Sequence, residues 1–147
     1  MEESIDLYKK VLEEFRIKKQ HPDTYSSLVL AYLGDAVFEV VIRSMIVAGG
    51  NEQVNHFHKK CSSLVNASTQ ARMIEYLMED LTEEEEKVFR RGRNAKSYTS
   101  AKNASVRDYR MATGFEALMG YLFMEGRTER IFELIKKALQ EEQKGVS

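Results

Sequence analysis

Between Leu28 and Ala48 the chain is almost continuously apolar, yet it carries Asp35, Glu39 and Arg43. No other stretch restricts the fold as strongly. The three charges would each be costly in a bilayer, so the segment is expected to be a buried helix and not a membrane span. On a helix Asp35, Glu39 and Arg43 stand i, i+4, i+8 and form one polar stripe. The remaining surface of the helix is apolar nearly all round and needs neighbours on every side.

The rest of the chain favours the same secondary structure. One proline and eight glycines in 147 residues leave few obligatory breaks, and no run of strict apolar/polar alternation predicts a strand. The expectation is an all-α single domain over residues 1–147. Ile5, Tyr8, Leu12 and Phe15 predict a helix over 4–20, ended by Pro22. A second helix is expected from near Thr24–Ser27 to Gly49-Gly50, a third from Glu52 to Val65, and a fourth from a Ser68 cap to Asp80. Thr82 to Glu85 reads as a capping box opening a short helix, with Gly92 as its stop. A helix from Ser105 to Glu125 carries Met111, Phe115, Leu118, Met119 and Leu122, and Gly126 breaks it. The last helix, 127–142, turns Ile131, Leu134, Ile135, Ala138 and Leu139 inward.

Charge is unevenly spread. The net charge is −1, but residues 1–86 hold nine Lys/Arg against 16 Asp/Glu, and residues 87–110 hold eight against one. That basic block is the electrostatic footprint of phosphate binding. The alternative is a solvated loop without a partner.

Several chemistries find no support. The single cysteine, Cys61, excludes an intrachain disulfide and a multi-cysteine zinc site. The charged N-terminus lacks an apolar secretory run, so a reducing, cytoplasmic setting is expected. His56 and His58 are two apart and point about 200° apart on a helix, which does not suit one metal. There is no Gly-x-Ser-x-Gly elbow and no Walker-type loop.

Two acids stand out among apolar neighbours. Asp35 lies in LVLAYLGDAVFEVVI and Glu116 in MATGFEALMGYLF. A buried carboxylate is expensive unless it is paired or holds a cation. Gly114 and Gly120 flank Glu116 and would let another helix approach closely. Two isolated acids on two apolar helices could converge on one site for a hard divalent cation. The plainer reading is a self-neutralising line in which Arg43 balances Glu39.

These same residues resemble the ribonuclease III family. Leu30 to Glu39, LAYLGDAVFE, is similar to its signature helix L-E-F-L-G-D-A-V-L, and Phe115 to Gly120, FEALMG, to its second acidic motif D-x-x-E-A-L-x-G. Arg91 to Ser97, RGRNAKS, resembles the basic loop of the Mini-ribonuclease III subgroup, which has the catalytic domain alone. Ala31, Thr113 and Leu28 replace acids of the full-length enzymes, and the first two mark that subgroup. Only Asp35 and Glu116 therefore carry over as catalytic and metal-holding acids, the number of cations staying open. Glu39 is a structural partner of Arg43.

The resemblance implies a dimeric, all-helical endoribonuclease that hydrolyses double-stranded RNA and leaves 5′-phosphates. It implies Mg²⁺ as cofactor, with Mn²⁺ able to substitute, and precursor 23S ribosomal RNA as substrate, with a ribosomal protein as a candidate helper. With 31 residues after Glu116, no double-stranded-RNA-binding domain is expected there. Arg91, Arg93, Asn94, Lys96 and Lys102 are the expected RNA contacts. Two other classes compete: a non-catalytic dimeric RNA-binding protein of the same fold, motivated by the reduced acid set, and a helical protein-interaction module, which explains neither the acids nor the basic block.

Overall fold

A computed structural model describes residues 6–96 and 105–146. These form seven helices, with no strand among the described residues: α1 Leu7–Glu14, α2 Ser27–Ala48, α3 Val54–Val65, α4 Ala67–Leu77, α5 Glu83–Arg93, α6 Val106–Met124 and α7 Thr128–Val146. The all-α expectation is met. Among the described residues no helix is long and apolar enough to cross a membrane.

The ends of these helices follow local chemistry, with three departures from expectation. Helix α1 stops well before Pro22, because Arg16 turns to a left-handed φ of 54°. Its N–H then donates to the Glu13 carbonyl and that of Ile17 to Leu12, which satisfies the last turn. Pro22 instead opens a 3-10 turn. Helix α4 is capped by Asn66, not Ser68: Asn66 Oδ1 accepts from the Thr69 N–H at 2.9 Å. Gly92 lies inside α5 and does not stop it. Elsewhere the expected caps form, including the reciprocal Thr82–Glu85 box of α5 and Ser105 at the start of α6.

Helix α6 is the axis of the molecule. It packs against α2, α4, α5 and α7, and between Met111 and Met124 only Glu116 and Phe123 are not fully buried. Phe38 of α2 meets Phe115 of α6 edge-on, with ring centroids 5.2 Å apart.

Helices α2 and α6 cross through two glycines. A Cβ on Gly34 would lie 1.7 Å from the Glu116 carbonyl oxygen, and one on Gly120 would lie 2.0 Å from that of Leu30. No side chain fits at either place, so the backbones touch here. Asp35 follows the first glycine directly, and Glu116 precedes the second by one helical turn. The α5–α6 contact uses the same device. Gly92 faces Gly114, where an added Cβ would be 2.9 Å from the Gly114 Cα. Gly92 therefore serves close packing, which explains its place mid-helix.

Helix α7 is fastened by ion pairs. Arg130 Nε and Nη2 donate to the wholly buried Glu85 at 2.9 and 2.8 Å, and Nη2 also donates to the Asp80 carbonyl. Further along, Arg72 Nη2 donates to Glu142 at 2.6 Å, and the Tyr76 hydroxyl donates to the same carboxylate.

Helix α2 is less enclosed than the sequence predicts. Leu30, Ala31, Gly34, Phe38 and Ile42 are buried, but Tyr32 is 83% exposed and Val40 63%. Tyr32, Ala36 and Val40 repeat every four residues and leave one apolar face uncovered by the described residues. Asp35, too, is exposed and not buried.

Candidate active site

The glycine crossing brings the two singled-out acids together. Asp35 and Glu116 come from different helices whose backbones touch at Gly34 and Glu116, and the Asp35 carboxyl is near enough to act on that of Glu116. Asp35 faces solvent, while Glu116 is half-buried in the otherwise buried face of α6. Burial pushes the Glu116 carboxyl up to about 8, and the contact with Asp35 and its charge push the same way. Glu39 adds a smaller push through its charge. Near neutral pH the Glu116 carboxyl therefore keeps its proton, because burial and an acidic neighbour both disfavour its ionised form.

Glu39 behaves as expected in one respect and exceeds expectation in another. It accepts from Arg43 Nη2 at 3.0 Å, the i, i+4 bridge anticipated from spacing. It also stands at the rim of the acid pair, and the Cys61 thiol lies 3.9 Å from it. Among the described residues no three His, Cys, Asp or Glu side chains gather into a metal-binding group, so the acids come as a pair.

One neighbour gave no signal in the sequence. Gln70, in the first turn of α4, is buried, and its Nε2 reaches the Val65 carbonyl at 2.8 Å and Glu116 Oε2 at 3.5 Å. A lone glutamine in NASTQAR has no spacing partner and no apolar frame to mark it. Its hydrogen bond lowers the Glu116 carboxyl, against the stronger effects of burial and Asp35.

The donor set suits a hard cation. Asp35 and Glu116 offer only oxygen, and their excess negative charge is what a divalent ion would neutralise. Mg²⁺ sites commonly use one or two carboxylates and fill the remaining positions with water or substrate phosphate. Two acids brought together at the surface end of a rigid crossing fit that pattern.

The basic residues lie at the end of α5. Arg91 and Lys96 are exposed. The Arg93 guanidinium sits 5.7 Å from the centroid of the Phe89 ring, and its Nε donates to Asn94 Oδ1 at 3.1 Å. Asn94 is the exposed C-cap of the helix. Arg90 and Arg107 are engaged with Glu86 and Glu75, so part of the block's charge is met within the fold. Lys102 lies outside the described residues.

Comparison with known proteins gives the family. A family model described as the ribonuclease III domain matches residues 28–127. A Mini-ribonuclease 3 of Clostridium tetani is 50% identical over 125 residues, 84% of this chain and 82% of that protein. A Mini-ribonuclease 3 of Brevibacillus brevis is 48% identical over 117 residues, 80% of this chain and 87% of the relative. The crystal structure of a Fusobacterium nucleatum protein superposes with a TM-score of 0.73 at 30% identity, covering 80% of this chain and 94% of that one. The matched span runs from the start of α2 to the end of α6 and so contains both acids and the glycine crossing. The chain belongs to the ribonuclease III family, within its Mini-ribonuclease 3 group of endoribonucleases.

Proposed function

We propose that this chain is a double-stranded-RNA endoribonuclease in which Asp35 and Glu116 form the catalytic, cation-holding pair, and that residues 1–147 act as one catalytic domain. The convergence of these two acids at the Gly34–Gly120 crossing carries the reading. A bound Mg²⁺, or Mn²⁺ in its place, supplies a water of lowered pKa and offsets charge on the scissile phosphate. The protein supplies position. The crossing fixes both acids on rigid helices, and the exposed side of Asp35 leaves room for a phosphodiester. Hydrolysis leaves a 5′-phosphate and a 3′-hydroxyl.

An acidic pair alone repels RNA. Arg91, Arg93, Asn94 and Lys96 at the end of α5, with Lys102 beyond, are the proposed backbone contacts. A-form RNA is recognised mainly by shape, phosphates and 2′-hydroxyls, so little sequence preference is expected. The uncovered Tyr32–Ala36–Val40 face supports a homodimer, because it runs beside the acid row of the same helix and would be buried by a second copy. The resemblance to Mini-ribonuclease III supports precursor 23S ribosomal RNA as the substrate, in the cytoplasm, with a ribosomal protein as helper.

The test is cleavage of an end-labelled RNA duplex by purified protein, in Mg²⁺ and in EDTA, with the product ends typed. Mg²⁺-dependent cuts bearing 5′-phosphates bear the proposal out. Binding without cleavage across several duplexes, including a ribosomal precursor stem, contradicts it.

A further inference from the structure

A buried polar atom left unsatisfied by the fold lies beside the acid pair. Gln70 is 2% exposed, and its Oε1 is the one buried side-chain atom without a hydrogen-bond partner among the described residues. Its Nε2 donates to the Val65 carbonyl and faces Glu116 Oε2. The Val65 carbonyl can only accept, so reversing the amide would set oxygen against oxygen there at 2.8 Å. Oε1 is therefore fixed as the open acceptor. A buried acceptor without a donor is costly, and such groups call for an explanation.

The surroundings hold Gln70 rigidly. Asn66 Nδ2 donates to the Ser62 and Ser63 carbonyls, and Thr69 Oγ1 donates to the Ser63 carbonyl at 2.9 Å. These bonds brace the α3–α4 elbow from which Gln70 projects. The contact with Glu116, at 3.5 Å, is at the long end for a hydrogen bond.

We propose that Gln70 is a positioning residue for the acid pair: its amide N–H orients the Glu116 carboxylate, and its carbonyl oxygen accepts a hydrogen bond from the water shell of the cation held there. This rests on the cation-site reading above. Partners of ligating carboxylates tune affinity as well as geometry, so the role is visible in binding of the ion alone.

The full chain is titrated with Mn²⁺ and the free ion is read by electron paramagnetic resonance, with thermal melting of the same samples. Gln70→Met and Gln70→Leu keep the volume and remove both polar atoms. Each is expected to melt near the parent without Mn²⁺, since the orphaned oxygen is gone. Each should bind Mn²⁺ about tenfold to a hundredfold more weakly, with a matching loss of duplex cleavage. Unchanged Mn²⁺ affinity in a folded variant would overturn the inference, whatever the melting temperature does. Gln70 would then serve only the Val65 carbonyl. Failure of both variants to fold would overturn it as well. Glu116→Gln separates the two readings. If the parent's Mn²⁺ site survives that substitution, the cation-site reading itself fails. If it is lost there but kept in the Gln70 variants, only the present inference fails.

Discussion

Two glutamates sit deep in this fold, and they are treated in opposite ways. Glu85 is wholly buried, but Arg130 donates to both of its oxygens and the Thr82 N–H to one. Burial alone would raise its carboxyl; the guanidinium and the backbone N–H hold it below the usual carboxylate range. The Glu116 carboxyl is driven up to about 8, first by burial and then by its acidic neighbour Asp35, which adds to the effect of burial where Arg130 offsets it at Glu85. Glu85 is electrostatically complete within the chain. In the proposed function, the Asp35–Glu116 pair is completed by a positive charge from outside. The difference teaches that burial does not by itself mark a functional acid; the missing counter-charge does.

The largest expected effect breaks the incomplete side. Asp35→Asn or Glu116→Gln should reduce duplex cleavage by about a thousandfold or more, since several kcal/mol of charge stabilisation depend on the cation. The fold should survive both. A single-turnover assay reads the loss, and a residual rate within tenfold of the parent would sink the assignment.

Breaking the complete side should do the reverse. Arg130→Met leaves Glu85 buried without its cation and should cost about 3 kcal/mol of stability. Urea unfolding reads this as a lower midpoint. Cleavage per folded molecule should hardly change, and a stability equal to the parent's would remove the contrast.

Acidity sharpens the comparison further, because the two sites have opposite signs. The folded value of Glu85 lies below the unfolded one. Its contribution is present above the ordinary carboxylate range and is lost as pH falls through the depressed folded value. The folded value of Glu116 lies above the unfolded one. Its contribution turns unfavourable as pH rises from that range towards about 8. Melting temperatures across pH should show Glu85→Gln blunting the acid limb and Glu116→Gln lifting the alkaline limb in metal-free buffer. Parallel curves for the two variants would argue against the contrast.

The smallest effect lies at the basic end of α5. Lys96→Ala should weaken RNA binding uniformly across sequences and reduce the slope of log affinity against log salt by about one. Arg93→Ala should do less, because its guanidinium already stacks on Phe89 and bonds Asn94. Unchanged affinity at several salt concentrations removes these residues from the RNA contacts.

Much of this is legible in the amino-acid sequence. The helix around Asp35 announced itself through its length and its i, i+4, i+8 charges, and Gly114 and Gly120 announced close packing around Glu116. The capping box from Thr82 to Glu85 is local chemistry and formed as read. What stayed hidden depends on partners far apart in the chain. Gly92 looks like a helix stop until α6 is placed against it. Glu85 looks like one more residue of an acidic first turn until Arg130 reaches it from α7. Gln70 carries no periodicity or charge, and only the fold sets it beside Glu116. The exposure of Asp35 was misjudged for a related reason: apolar neighbours along the helix do not say which face the rest of the protein covers.

The central claim is that a cation from outside completes the acid pair. Thermal melting at pH 8, with and without millimolar Mg²⁺, tests it most directly. The parent should gain stability with Mg²⁺, as any ligand of the folded state confers. Glu116→Gln should melt higher than the parent without Mg²⁺ and gain nothing when it is added. An equal Mg²⁺ shift in both proteins would show that the ion binds elsewhere and contradict the account.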